Sequence, residues 1–129
     1  MDVSLLLDSL NDAQREAVAA SPGHQLILAG AGSGKTRVLV HRIAWLMEVE
    51  QLAPFSILAV TFTNKAAKEM RGRVERLMGS GLHTMWIGTF HGLAHRLLRI
   101  HFKEAKLPEN FQILDSDDQY RLVRRVIKS

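Results

Sequence analysis

A glycine-rich corner between two apolar runs, "LILAGAGSGKTRVLV", constrains the fold of this chain more than any other feature. The run Leu26–Leu28 has no polar interruption, which is typical of a strand buried on both faces of a parallel sheet. After Arg37, apolar residues recur at roughly helical spacing. Between the two runs, Gly30, Gly32 and Gly34 allow backbone conformations that other residues avoid. The sequence therefore predicts a strand, a tight glycine loop and a helix in succession.

The composition of the glycine loop indicates what it binds. Inward-turned N–H groups at the start of a helix form a nest for anions. Lys35 adds a positive charge for the β- and γ-phosphates, and Thr36 adds a hydroxyl for Mg²⁺. The P-loop pattern is complete except at its first position, and an ordinary glycine turn is the alternative interpretation. The predicted nucleotide-binding residues of the loop are Ala29, Gly30, Ala31, Gly32, Ser33, Gly34, Lys35 and Thr36. Binding of ATP or GTP with Mg²⁺ follows from this pattern.

Composition narrows the class of protein without deciding it. The 129 residues include 17 Lys and Arg against 13 Asp and Glu, a modest excess that permits nucleic acid or phosphate partners. The absence of cysteine excludes disulfides and zinc–thiolate sites. The N-terminus lacks the basic region of a signal peptide, and no apolar stretch approaches the length of a membrane span. We therefore expect no membrane partner and a cytoplasmic location.

Strands and helices alternate along the rest of the chain. Two further strands are predicted at Ser56–Phe62 and Met85–Phe90. The predicted helices run from Asp12 to about Ala20, from the glycine loop to about Gln51, from Asn64 to Gly79 or Gly81, from His91 to Phe102, and from Asp115 or Ser116 to the end. Asn11 and Asn64 are the expected N-caps of two of these helices. The alternation predicts an α/β fold with a parallel sheet.

Aromatic and polar residues stand where the two later strands end, at the edge where ligands bind in open α/β sheets. Phe62 and Phe90 offer rings for base stacking, while Thr63, Asn64 and Lys65 offer donors to phosphates. Two such aromatics beside basic helices indicate a track for single-stranded nucleic acid. From the residues alone, burial of Phe62 in the core is an equally good interpretation.

Two other patterns have ordinary structural explanations. His91 and His95 have the i, i+4 spacing of a zinc pair, but no third ligand is evident. Asp115 follows a mostly apolar run, where an ATPase places a carboxylate, but no second acid adjoins it. We favour a helix cap at this position, and Ser116 with Gln119 fits a capping box.

Four ordered motifs together carry a family resemblance. "LNDAQREAV", "AGAGSGKTRVLVHRIAWL", "AVTFTNKAAKEMRGRV" and "GTFHGLAHRLLR" resemble the N-terminal part of bacterial DNA helicase II, the UvrD/Rep/PcrA group of superfamily 1 helicases. The resemblance covers essentially the whole chain. It implies a partial RecA-like P-loop domain with a parallel sheet and flanking helices over residues 1–90. Residues 91–129 would then be the start of an inserted helical subdomain.

The resemblance also implies an activity and the residues that serve it. Members of this family are ATP-driven 3′-to-5′ DNA helicases of repair and replication, so single-stranded DNA and duplex junctions are the expected partners. Gln14 is similar to a glutamine that reads adenine, Arg37 to an arginine over the base, and Arg73 to an arginine near the nucleotide. Lys35 and Thr36 are the expected catalytic residues, with Thr36 holding Mg²⁺. The expected DNA-contacting residues are Phe62, Thr63, Asn64, Thr89, Phe90 and His91.

The chain departs from the family pattern in one respect. It has no segment similar to the paired Asp and Glu of the Walker B motif, and no second RecA-like domain with arginine fingers. We therefore expect an N-terminal piece of a helicase that is inactive alone. Because the Walker B strand would neighbour Leu26–Leu28, we also expect self-association or a swapped dimer. The alternatives are a nucleotide- or DNA-binding module without turnover and a small P-loop kinase.

Overall fold

A computed structural model describes residues 2–79 and 81–129. They form two compact units, Met1–Phe90 and His91–Ser129. The same boundary was expected for the domains, whose assignment as a RecA-like domain and an inserted subdomain stays a prediction. The α-helices are α1 (Asp12–Ala19), α2 (Lys35–Glu48), α3 (Asn64–Met78), α4 (Phe90–Ile100) and α5 (Ser116–Lys128), the strands are β1 (Leu58–Thr61) and β2 (Trp86–Thr89), and short 3₁₀ helices span Val3–Leu6 and Pro54–Ser56.

The two strands form a small parallel sheet, joined by a crossover through α3. Leu58 lies opposite Trp86, and Thr61 lies opposite Thr89. The predicted mixed α/β class and the parallel orientation of the strands are therefore confirmed. Both strands are shorter than predicted, because a 3₁₀ turn precedes β1 and α4 begins directly after β2.

The prediction of a buried strand before the glycine loop is wrong for this structure. Leu26 and Leu28 are 85% and 86% exposed, and the segment is irregular. A strand needs a neighbour that pairs with its backbone groups. In the described ranges, β1 and β2 pair only with each other. The apolar segment is therefore left without a partner.

The core of the first unit lies between α2, α3 and the sheet. Its main cluster consists of Val40, Ile43, Ile57, Met70, Val74, Leu82, Met85 and Ile87. A second cluster of Leu10, Val18 and Val38 holds α1 against α2. Arg42 on α2 donates from one terminal nitrogen to the carbonyl oxygens of Val18 (2.8 Å) and Ala20. These bonds satisfy carbonyl groups that the end of α1 leaves open.

Local capping rules explain where α1 and α3 begin. Asn11 caps α1 in a capping box with Gln14, so the predicted cap is confirmed. At α3 the prediction is off by one residue. The Thr63 hydroxyl accepts from the N–H of Ala66 (3.1 Å), and Asn64 is the first helical residue. Threonine is also among the favoured N-cap residues, and Thr63 has the extended backbone that a cap requires.

Asp115 is the N-cap of α5, as favoured from the sequence. Its Oδ1 accepts a hydrogen bond from the N–H of Asp118 at 2.7 Å. Ser116 already lies inside the helix, so the predicted Ser116–Gln119 capping box is wrong. The Asp115 carboxylate therefore caps the helix that follows it.

The second unit is held together around Phe111, which is 9% exposed. The guanidinium carbon of Arg99 lies 4.0 Å from the centre of the Phe111 ring, and the His95 ring meets that ring edge-on at 6.1 Å. Arg99 also donates from Nε to His95 Nε2 at 2.9 Å. This hydrogen bond occupies one ring nitrogen of His95, which has the spacing of a zinc pair with His91. No helix in the described ranges has the length and apolarity that crossing a bilayer requires.

Candidate functional site

The glycine loop forms a tight turn at the start of α2. The N–H and hydroxyl of Ser33 both donate to the Gly30 carbonyl, at 3.3 and 2.5 Å. Gly32 and Gly34 have φ values of 75° and 85°, which favour glycine. Gly34 is the N-cap of α2 and makes no side-chain cap hydrogen bond. The first turn of α2 therefore offers its N–H groups to a ligand, as a nest for an anion does.

The surroundings of the loop leave room for such a ligand. A methyl group at Gly30 or Gly32 would meet nothing within 4 Å. Lys35 and Thr36 are both exposed in the first turn of α2. The residues present thus fit a phosphate group, with open space above the loop and a cation and a hydroxyl beside it.

Gln14 of α1 is tied to the glycine loop. Its Nε2 donates to the Ser33 carbonyl at 3.2 Å, while its Oε1 accepts from the N–H of Asn11 at 3.0 Å. A Cβ atom at Gly34 would lie only 2.9 Å from Nε2. Each of the two amide atoms keeps capacity for another bond, since Nε2 has a second hydrogen and Oε1 a second lone pair.

Two arginines expected near the nucleotide line one cleft. The cleft is open, has a volume of about 320 Å³ and is lined by Arg37, Val40, His41, Arg73, Arg76 and Leu77. Arg73 forms an ion pair with Glu69 at 2.7 Å. Arg76 also lines this cleft, although the sequence analysis assigned it no role. Its position three residues after Arg73 on one helix was the signal for this.

Phe62 and Phe90 form an exposed aromatic pair. Their ring centres are 5.7 Å apart and the planes are tilted by 45°. Phe62 is 90% exposed and Phe90 62%, so the core interpretation of Phe62 is wrong. The parallel register explains the contact, because Thr61 and Thr89 are paired and each precedes one of the rings.

Polar residues are close neighbours of this pair in the sequence. The Thr61 hydroxyl donates to the Thr63 carbonyl at 3.1 Å, which shapes the turn into α3. The Thr63 hydroxyl accepts from Ala66 as a cap and keeps its own hydrogen for another acceptor. Asn64 is exposed, and His91 is exposed in the first turn of α4.

Arg71 has a structural role that the sequence interpretation missed. It is half-buried and donates to the Ile87 carbonyl of β2 at 2.8 Å. The signal was its place beside Met70 and four residues after Ala67, both of which are buried. Arg71 thereby ties α3 to the strand that leads to Phe90.

Comparison with known proteins confirms the resemblance that the four motifs carried. Residues 10–129 match the family described as UvrD/REP helicase N-terminal domain. The chain is 70% identical to DNA helicase II of Escherichia coli (strain K12) over 129 residues, which cover all of this chain and 18% of that protein. It is 61% identical to DNA helicase II of Haemophilus influenzae over 132 aligned positions, covering 99% of this chain and 18% of the relative.

A more distant relative agrees with these. The ATP-dependent DNA helicase PcrA of Bacillus subtilis is 50% identical over 123 residues, covering 95% of this chain and 17% of that protein. The chain thus spans about 18% of the length of the curated relatives that it matches. With a family match over nearly all of its residues, the chain belongs to the UvrD/REP helicase family, in the N-terminal domain of that family.

Proposed function

We propose that this chain carries the ATP-binding loop and part of the single-stranded DNA track of an ATP-dependent 3′-to-5′ DNA helicase. Its relatives are named DNA helicase II and ATP-dependent DNA helicase PcrA. The observation that carries the proposal is the hydrogen bond from Gln14 to Ser33, which joins the expected adenine reader to the expected phosphate loop. The proposal includes a role in DNA repair or replication and a cytoplasmic location.

The nucleotide part of the proposal assigns a role to each group. Gln14 reads the adenine edge with its remaining donor and acceptor, which favours ATP over GTP. Lys35 binds the β- and γ-phosphates, and Thr36 holds Mg²⁺. Mg²⁺ supplies neutralisation of the charge on the phosphates. Arg37 and Arg73 complete the nucleotide site from the cleft that they share.

The DNA part of the proposal rests on the exposed rings of Phe62 and Phe90. Stacking on such rings tolerates any base, as movement along DNA requires. Thr63, Asn64, Thr89 and His91 contribute hydrogen bonds to the sugar–phosphate backbone. The partners are single-stranded DNA and the junctions where it meets a duplex.

We further propose that residues 1–90 are part of a RecA-like domain and residues 91–129 begin an inserted helical subdomain. The parallel strands β1 and β2, with α3 between them, and the glycine loop before α2 support this assignment. The unpartnered segment Leu26–Leu28 would join the sheet once another strand pairs with it. In the isolated chain, a second copy supplies that partner, by self-association or a swap.

These 129 residues, in our proposal, bind ATP without hydrolysing it. Phosphoryl transfer needs a carboxylate for the metal and the attacking water, and an arginine finger contributes about 10³–10⁵ in rate. Asp115, the acid best placed by sequence, is engaged in capping α5. A binding module without turnover is therefore the second candidate function for this chain.

A phosphate-release assay with and without single-stranded DNA tests the proposal, together with titration of ATP and GTP. We expect ATP to bind more tightly than GTP, Lys35→Ala to weaken binding, and turnover to stay near background. Equal affinity for the two nucleotides would contradict the role of Gln14. Turnover stimulated by DNA and abolished by Lys35→Ala would contradict the inactivity of the chain.

A further inference from the structure

Four basic residues lie on one face of α5. They occupy positions i, i+3, i+4 and i+7 of the helix, a spacing that places side chains on the same side. All are exposed, and together they line an open cavity of about 420 Å³. This set, the α5 basic face, consists of Arg121, Arg124, Arg125 and Lys128.

The α5 basic face has no acidic partner among residues 2–79 and 81–129. The ion pairs of Arg73 with Glu69 and of His101 with Glu104 both lie outside α5. No acidic residue occurs from position 119 to position 129. Asp117 and Asp118 stand only in the first turn of α5, where the N-terminal end of the helix dipole favours acids.

We propose that the α5 basic face binds the sugar–phosphate backbone of double-stranded DNA. This inference rests on the proposed function for the choice of polyanion. The seven helical steps from Arg121 to Lys128 span roughly 10 Å, and over that length of its axis a DNA duplex carries about three phosphates on each strand. Arginine suits this task because its planar group binds phosphate oxygens in pairs.

The chemistry of the face distinguishes it from the pair of Phe62 and Phe90. None of its four side chains is aromatic, so its binding energy comes mainly from contacts of its charges with phosphates. Binding through phosphates alone is independent of sequence and strongly dependent on salt. The α5 basic face therefore suits a duplex, whose bases are already stacked.

An anionic membrane is the competing occupant. Apolar side chains occupy the opposite side of α5, where Val123 and Val126 are 50% and 64% exposed. Helices with one basic and one apolar side also bind at membrane interfaces. Membership of a DNA helicase family favours the duplex, and vesicles provide the test of the other occupant.

The test compares binding of the parent chain and the Arg124→Gln/Arg125→Gln variant to a blunt duplex across a salt series. Affinity falls as salt rises, and each phosphate contact adds about 0.9 to the steepness of log affinity against log salt, so the slope of the variant should be less steep by about 2. The matched control is Lys103→Gln/Lys106→Asn, which removes the same charge from the same unit. Asparagine tolerates the φ of 58° at Lys106.

Further arms separate the remaining explanations. Arg124→Lys/Arg125→Lys should keep the parent slope because the charge is kept, and circular dichroism checks that each variant retains its helices. A slope equal to that of the control variant, or a parent without salt-dependent duplex binding, would overturn the proposal. So would loss of binding to phosphatidylserine vesicles in the variant with an unchanged duplex slope.

A separate measurement tests the proposed track for single-stranded DNA. Binding of oligo(dT) is compared between Phe62→Ala and the parent, and the difference reports stacking at the aromatic pair because the α5 basic face is the same in both. Unchanged oligo(dT) binding in Phe62→Ala, alongside a reduced duplex slope in Arg124→Gln/Arg125→Gln, would contradict the track and support the α5 basic face.

Discussion

Gln14 Nε2 donates a hydrogen bond to the Ser33 carbonyl at 3.2 Å, and the same side chain closes the capping box of α1. One residue therefore connects the start of one helix to the glycine loop that begins another. A Cβ atom at Gly34 would lie 2.9 Å from Nε2, so a side chain there would displace the Gln14 amide. The start of α1, the loop and the start of α2 are thus mutually dependent.

Gln14→Ala should lower the free energy of unfolding by about 1–3 kcal/mol, because two hydrogen bonds of about 0.5–1.5 kcal/mol each are lost. It should also reduce the preference for ATP over GTP. Urea unfolding and nucleotide titration measure the two effects. The control is Gln119→Ala, in the first turn of α5, whose side chain makes no hydrogen bond in the described ranges. A Gln14→Ala variant as stable as Gln119→Ala would contradict the tie to the loop.

Gly34→Ala should destabilise the chain by more than about 1 kcal/mol, since its φ of 85° is unfavourable for alanine. The added methyl also displaces Gln14, so its effect should not add to that of Gln14→Ala in a double-mutant cycle. Gly30→Ala is the matched control, because a methyl there meets no atom within 4 Å. We expect Gly30→Ala to change stability by less than about 0.5 kcal/mol and to weaken ATP binding. Strong ATP binding by Gly30→Ala would argue that phosphates lie elsewhere.

Phe62→Ala should weaken single-stranded DNA binding by about 1–3 kcal/mol through lost stacking. Its stability should stay within about 0.5 kcal/mol of the parent, because the ring is 90% exposed. Phe55→Ala is the control, as Phe55 is 69% exposed and lies before β1, away from the end of the strand where Phe62 stands. Fluorescence titration of a single-stranded oligonucleotide with each variant measures the loss of DNA binding. Equal binding by Phe62→Ala and Phe55→Ala would remove Phe62 from the track.

Leu26→Lys/Leu28→Lys should reduce self-association, because charges on an unpaired apolar segment oppose pairing with another chain. Sedimentation of the parent over a wide concentration range should show association, and the variant should remain monomeric. Leu5→Lys, at a leucine that is 60% exposed elsewhere, should associate like the parent. A parent chain that stays monomeric throughout would show that the exposed segment does not recruit a second copy.

Local patterns determined a large part of what is now established. The glycine loop, the cap at Asn11, the cap at Asp115 and the existence of two β-rich runs followed from rules that act over a few residues. The four ordered motifs identified the family because their residues and spacing are specific. Such inferences succeed because a cap, a turn or a helix face is decided by neighbours in sequence.

Only the tertiary structure decided what depends on distant partners. Leu26–Leu28 has the composition of a strand but lacks a paired neighbour in the described ranges, so it stays exposed. The exposure of Phe62, its contact with Phe90 and the bond from Arg71 to Ile87 all depend on β1 and β2 lying side by side. A side chain or strand in isolation does not specify its partner. Burial and hydrogen bonding across the fold are therefore decided only when distant segments meet.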